Sequence, residues 1–166
     1  VYDNTKALID FAQGSHEIDT SLSDNASELK RILRCIDDVV SHQEYVLDSL
    51  IVTASCSPEG SYAHNSILAS SRSESMRRYV WDYVPEEWRE KVRTAHVPEN
   101  WTQLMKIVAN DTLLTASAKE KILEHSADSG KPDDAEKRIS LMPEYRYLRE
   151  KIYPQLPTSV FQADLN

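Results

Sequence analysis

The chain predicts an α/β fold, and three features carry that prediction. Apolar stretches of strand length at residues 6–12, 45–54 and 91–97 alternate with longer stretches of helical periodicity. A compact turn signal, Ser57-Pro58-Glu59-Gly60, follows the second of these strands. Only 3 glycines occur in 166 residues, which favours helix over tight hairpins. A chain of this length suits one domain, 1–166, burying roughly two-thirds of its unfolded surface without help from a disulfide or a metal.

In order, Val1 to Asn4 read as a loose start. The segment 6–12 holds Ala7, Leu8, Ile9 and Phe11 and is expected as the first strand, with Phe11 in the core and a loop through Gly14 after it. Asn25 to His42 is expected as a helix: Asn25 caps it, Glu28 completes a capping box, and Leu29, Ile32, Leu33, Ile36, Val39 and Val40 form one apolar stripe. Lys30, Arg31, Arg34 and Asp38 lie opposite, so the helix is suited to covering a sheet. Tyr45 to Ala54 is expected as a central strand covered on both faces, because Val46, Leu47, Leu50, Ile51 and Val52 leave neither face polar. Beyond the turn, Leu68, Met76, Tyr79 and Val80 keep helical spacing, with Arg72 at the edge of that face. The spacing predicts a small cleft where strand, acidic turn and arginine meet. Pro85 ends this helix. Trp81, Tyr83 and Trp88 either close one end of the core or offer stacking platforms for a sugar.

The third strand at 91–97 ends at Pro98, and residues 99–156 read as almost wholly helical. Asn100 caps a helix with Trp101, Leu104, Met105 and Val108 on one face, and Ser117 with Glu120 repeats the capping pattern before Ile122 and Leu123. Ser129-Gly130-Lys131-Pro132 makes a turn. Asp133 and Asp134 then open a helix with Ala135, Ile139 and Met142, and Pro143 at a first-turn position introduces Tyr145, Leu148 and Ile152. Pro154 and Pro157 close the helical part, and Ser159 to Leu165 alternates as a final strand.

From Ile51 to Val80 the residues keep a definite register. Gly60, Asn65, Leu68, Arg72, Met76, Tyr79 and Val80 follow T-D-x-x-G and then N-x-x-L-x-x-x-R-A-x-x-V-x-x-Y-L, with Ser73 in place of the Ala. The stretch resembles the OmpA-like C-terminal domain, a peptidoglycan-associated module of the cell envelope, and its Ser-Pro-Glu-Gly turn looks like the branch common in Bacteroides-type bacteria. The resemblance implies a two-layer β-α-β-α-β sandwich, with 99–156 as a helical insertion ahead of the last strand. It also implies a non-catalytic periplasmic or outer-membrane-associated domain that binds the diaminopimelate of a peptidoglycan stem peptide. In the family the helix Arg takes the ligand carboxylate and the Asp of the turn pairs with the ammonium. The ligand-binding positions carried over are Arg72, Asn65, Ser57, Glu59 and Gly60.

Ser57 stands where the family has Asp. A neutral hydroxyl gives a hydrogen bond worth about 1 kcal/mol where a charged partner gives about 1.5–3 kcal/mol. Either Glu59 substitutes for the missing carboxylate, or the fold is kept without the ligand and serves as a protein interaction module of the envelope. Arg72 itself has two readings: a partner for Glu59 or another carboxylate that fixes the turn, or an anion grip. Asn65 either caps its helix or touches the ligand.

The net charge of −8 argues against nucleic acid and anionic membrane partners, which demand a basic face. No apolar run approaches the ~20 residues of a membrane span. A chain opening at Val1 without Met reads as a processed or cloned fragment. Cys35 and Cys56 are expected as buried free thiols, with a single disulfide as the lesser alternative. His16, His42, His64, His96 and His125 are scattered singly, without metal-site spacing, so no metal or other cofactor is expected. Cys56 and His64 invite a nucleophile pair, but no orienting Asn or Asp accompanies them, and the acidic pairs Glu86-Glu87 and Asp133-Asp134 suit a solvated surface and a helix first turn. No enzymatic activity is expected.

Overall fold

The computed structural model describes residues 4–42, 46–127 and 130–165. Of the expected loose start from Val1 to Asn4, residues 1–3 lie outside them, as do the expected roles of Tyr45 and Ser129, whereas Asn4 is not loose and opens the first strand, paired with Asp164. The chain forms two compact units. One comprises Val1–Ser55, Leu68–Val97 and Pro157–Asn166, and the other Cys56–Ile67 and Pro98–Leu156. The stretch expected as an insertion thus groups with the turn and with the start of the second long helix.

The first unit is α/β. It holds β1 (Asn4–Leu8), α1 (Asn25–Ser41), β2 (Leu47–Ser55), the larger part of α2 (Tyr62–Trp81), a short 3-10 helix at Glu86–Lys91, β3 (Val92–Val97) and β4 (Ser159–Leu165). The mixed sheet has the order β1-β4-β2-β3: β4 lies antiparallel between β1 and β2, and β3 runs parallel to β2. Phe161 pairs with Ala7 on one side and Val52 on the other, and Ala163 pairs with Leu50. All five are buried on one face, where α1 adds Leu29, Ile32, Ile36 and Val39, and α2 adds Met76 and Val80. Two layers result, because strand side chains alternate and both helices cover the same face.

That arrangement corrects the expectation that β2 is covered on both faces. Leu50, Val52 and Ala54 are buried, but Ile51 and Thr53 on the other face are only half-buried. β2 is nonetheless interior, with a neighbour on each edge. The first strand is also shorter than expected. Its pairing ends at Leu8, after which the Asp10 amide bonds to Asn25 Oδ1 and the Phe11 amide to Thr158 Oγ1. Asn25 is not a cap. It is the first residue of α1, buried, and its amide donates to the carbonyls of Asp10 and Asp19. Glu28 does not close a capping box either: its carboxylate accepts from the Leu8 amide and from Arg31. Trp88 packs against the core, whereas Tyr83 is exposed and Trp81 carries the guanidinium groups of Arg77 and Arg89 over its ring, at 4.9 and 5.2 Å.

The second unit is helical. α3 (Trp101–Asn110), α4 (Ala116–Ser126), α5 (Pro132–Ser140) and α6 (Tyr145–Tyr147) follow one another, and α6 continues through a wide turn at Leu148–Ile152 and a tight one at Tyr153–Gln155. Leu104, Val108, Ile122, Ile139, Leu148 and Ile152 meet in its core. Asn100 caps α3 by accepting from the Gln103 amide. Thr115, not Ser117, caps α4, because Ser117 is already inside the helix whose buried face begins at Ala118. Pro132 takes the first position of α5, and Pro143 precedes Glu144, the cap of α6. Among the described residues no helix is long and apolar enough to cross a membrane.

Replacing Phe161, fully buried between two strands, by Ala is expected to lower unfolding free energy by about 3–5 kcal/mol. Leu8→Ser on the exposed face should change it by no more than about 0.5 kcal/mol. Urea denaturation measures both, and equal effects would contradict a single covered face.

Candidate functional site

The turn after β2 is built in the second unit. Gly60 adopts φ +80°, a left-handed conformation that residues with a Cβ enter at a cost, so glycine is needed at this position. Ser61 then caps α2: its Oγ accepts from the His64 amide at 3.2 Å. The next amide, Tyr62 N–H, donates to Asp133 Oδ1 at 2.8 Å, so a carboxylate from α5 also serves this helix start.

Asn65, buried in the first turn of α2, holds the turn rather than capping the helix. Its Nδ2 donates to the carbonyls of Glu59 at 2.8 Å and Ser57 at 3.2 Å, and to Glu99 Oε2 at 2.7 Å. An amide has two hydrogens for these three acceptors, so one is shared. The Asn65 carbonyl accepts from Cys56 Sγ at 3.4 Å, and the Cys56 carbonyl accepts from the Asn100 amide at 3.0 Å. The thiol expected to invite nucleophilic chemistry is therefore bonded to the main chain, and His64 is exposed.

Glu99 is the residue that sequence reasoning missed. Its side chain is 5% exposed, and its second oxygen accepts from the Trp101 indole at 3.0 Å. Burial pushes its carboxyl above the ordinary glutamate range. Asn65 and Trp101 oppose that shift, while Asp133 and Glu136 add to it. Burial likewise raises Glu59, with Arg149 opposing and Glu136 reinforcing. Tyr145 donates to Glu136 Oε1 at 2.9 Å and meets Tyr153 edge to face, with ring centres 6.4 Å apart. Burial raises both phenols well above their usual value, and the Tyr153 hydroxyl is buried without a hydrogen-bond partner among the described residues. The only signal of Glu99 in the sequence is its place before Asn100, one residue ahead of a cap.

Arg72 belongs to the first unit, whereas Ser57, Glu59, Gly60 and Asn65 belong to the second. Arg72 is 3% exposed. Its Nε donates to the Ser15 carbonyl at 2.8 Å, and its terminal nitrogens donate to the carbonyls of Ser55 at 2.9 Å and Ala12 at 3.2 Å. The guanidinium also lies 5.4 Å from the centre of the Phe11 ring. A fork of donors is matched here to main-chain oxygens of the protein itself.

A separate polar groove of about 350 Å³ in the second unit is lined by Gln103, Lys106, Asn110, Asp111 and Gln155. Two of its amides fold back on the main chain, Asn110 onto the Lys106 carbonyl and Gln155 onto that of Lys151. Asp111 is bound by the amides of Leu113 and Leu114 and by the Tyr147 hydroxyl. Among the described residues no group of three or more His, Cys, Asp or Glu is placed to hold a metal.

Asn65→Ala leaves two carbonyls and a buried carboxylate without their donor and should cost about 2–4 kcal/mol. Gly60→Ala, at which an added Cβ meets no atom within 4 Å, should cost only the strain of its φ, about 1–2 kcal/mol. Thermal unfolding ranks the two, and a costlier Gly60→Ala would contradict the role given to Asn65.

The chain matches no model of a known protein family and no curated protein.

Proposed function

We propose that the chain is a non-catalytic OmpA-like module of the cell envelope, periplasmic or outer-membrane-associated, that engages a protein partner and does not bind peptidoglycan. The observation that carries this reading is the engagement of Arg72 and Asn65. At 3% exposure each, they direct their donors at the chain's own carbonyls and at Glu99. A clamp on a ligand carboxylate needs donors that face solvent before the ligand arrives. Ser57 has no charge to offer an ammonium, and burial makes the Glu59 carboxyl harder to ionise. The strand-helix-strand-helix-strand order and the Gly60, Asn65, Leu68, Arg72 register support the OmpA-like part of the reading.

Co-sedimentation with diaminopimelate-type sacculi provides the test. The chain is expected to stay in the supernatant as a non-binding control does, and stem-peptide titration should leave the amides of 57–72 unshifted by NMR. Saturable pelleting that Glu59→Gln weakens would replace this reading with the peptidoglycan-anchor one.

A further inference from the structure

We propose that the outer edge of β3 is a docking site for an extended, acidic segment of a protein partner, which joins the sheet as a fifth strand beside Arg93. This names a surface and a kind of partner for the protein-binding role proposed above, and rests on that reading.

The sheet has two edges, and side chains guard only one of them. At β1 the Leu8 amide donates to Glu28 Oε2 at 3.2 Å, and the Lys6 carbonyl accepts from Arg31 at 2.7 Å. Glu28 and Arg31, both on α1, also pair with each other at 3.2 Å. A strand arriving at β1 has to displace both bonds and the ion pair, so this edge is closed. At β3, among the described residues, no hydrogen bond reaches the main chain of 93–97 from outside the β2 ladder.

The open edge is built to pair. β3 runs beside β2 for six successive pairs, Val92 to Val97, with no bulge and no proline. Alternate residues turn their amide and carbonyl to β2, which leaves those of the others at the open edge. Val92, Thr94 and Val97 are β-branched and favour extended backbone. Thr94 and His96 share the face of Val52 and Ala54, yet every side chain from Arg93 to Val97 is exposed, so the helical layer stops short of them.

The main chain fixes the shape of the occupant, and charge selects it. Donors and acceptors at strand spacing are satisfied by another strand. The ionisable side chains of β3 are Arg93 and His96, and the paired residues of β2, Leu50 to Ser55, carry none. Among the described residues no carboxylate pairs with Arg93. A segment with a carboxylate opposite Arg93 and apolar side chains opposite Ala95 and Val97, all on one face, complements this edge. The acids of the preceding 3-10 helix, Glu86, Glu87 and Glu90, stop before the strand, so the partner's carboxylate is disfavoured nearer its start. A second copy of the chain is the poorer occupant: it carries −8 overall, yet its β3 brings only basic groups to Arg93.

NMR titration of the whole chain with short blocked peptides of alternating valine and threonine tests this, one glutamate being moved through every position. Controls carry lysine for the glutamate, or methylated alternate amides. At about millimolar peptide, at least one glutamate peptide should shift the amides of 92–97 and bind about fivefold tighter than its lysine counterpart. Methylating the amides that face β3 should abolish binding. Arg93→Glu, at an exposed position, should invert the preference. No shift at β3 with any peptide, shifts confined to another surface, or an unchanged preference in Arg93→Glu would overturn the proposal. Concentration-dependent self-association that shifts 92–97 would give the edge to a second copy and overturn it as well. Pelleting with sacculi together with peptide binding at β3 would remove the reading above and leave the edge site, whereas silent peptides and a chain that stays in the supernatant would remove the edge site alone.

Discussion

A buried guanidinium bound to main-chain carbonyls is the constraint on which the first unit depends. Arg72 joins the Ala12 and Ser15 carbonyls, which flank a tight turn closed by the Ser15 amide on Ala12, to the end of β2 at Ser55. Ser55 in turn bonds through its amide to Thr158 and through its hydroxyl to Pro157. Thr158 Oγ1 accepts from the Phe11 amide and donates to the Ile9 carbonyl. Three stretches far apart in sequence, the exit of β1, the exit of β2 and the entry to β4, are thus cross-linked by polar bonds. Hydrogen bonds with a charged partner contribute roughly 1.5–3 kcal/mol each, so this crossing point fixes where β4 enters between β1 and β2.

The second unit has a counterpart of opposite sign. Glu99 is a buried acid held by N–H donors as Arg72 is a buried cation held by oxygens. The two differ in what pH can do to them. An arginine stays charged at every accessible pH, so the carbonyl cradle around Arg72 is permanent. A glutamic acid can give up its charge: burial at Glu99 favours that outcome, and the donors from Asn65 and Trp101 oppose it. One constraint is fixed and the other is conditional.

The parts of the fold written in apolar periodicity were legible in the sequence. The stripe of α1, the spacing of Leu68, Met76 and Val80, the alternation of β4 and the helical run after Pro98 each state their own local structure. What the sequence hid was polar and non-local. Asn25 has the residue type and the downstream Glu of a cap, yet its amide was drawn to Asp10 and Asp19 across a loop. Asn65 and Arg72 were legible as important but not in their roles, because their partners are main-chain atoms, which no residue type announces. Glu99 gave no periodic signal at all. The half-buried face of β2 was misread for a related reason, since Ile51 looks equally apolar whether or not a second layer covers it.

The same facts bear on what a shared register can mean. A motif that reads Gly, Asn, Leu, Arg at set spacings is usually taken as the imprint of a ligand, because its polar members look too costly to keep otherwise. In this chain each has a folding reason. Gly60 supplies a positive φ, Asn65 binds two turn carbonyls, Leu68 is buried, and Arg72 binds carbonyls on both sides of a sheet entry. These demands come from the backbone path, so they persist whether or not anything binds. Ser57 meets no such demand on its side chain: it contributes its carbonyl to Asn65, a service any residue can give. Side chains that the backbone path itself requires are therefore explained at this turn without any ligand.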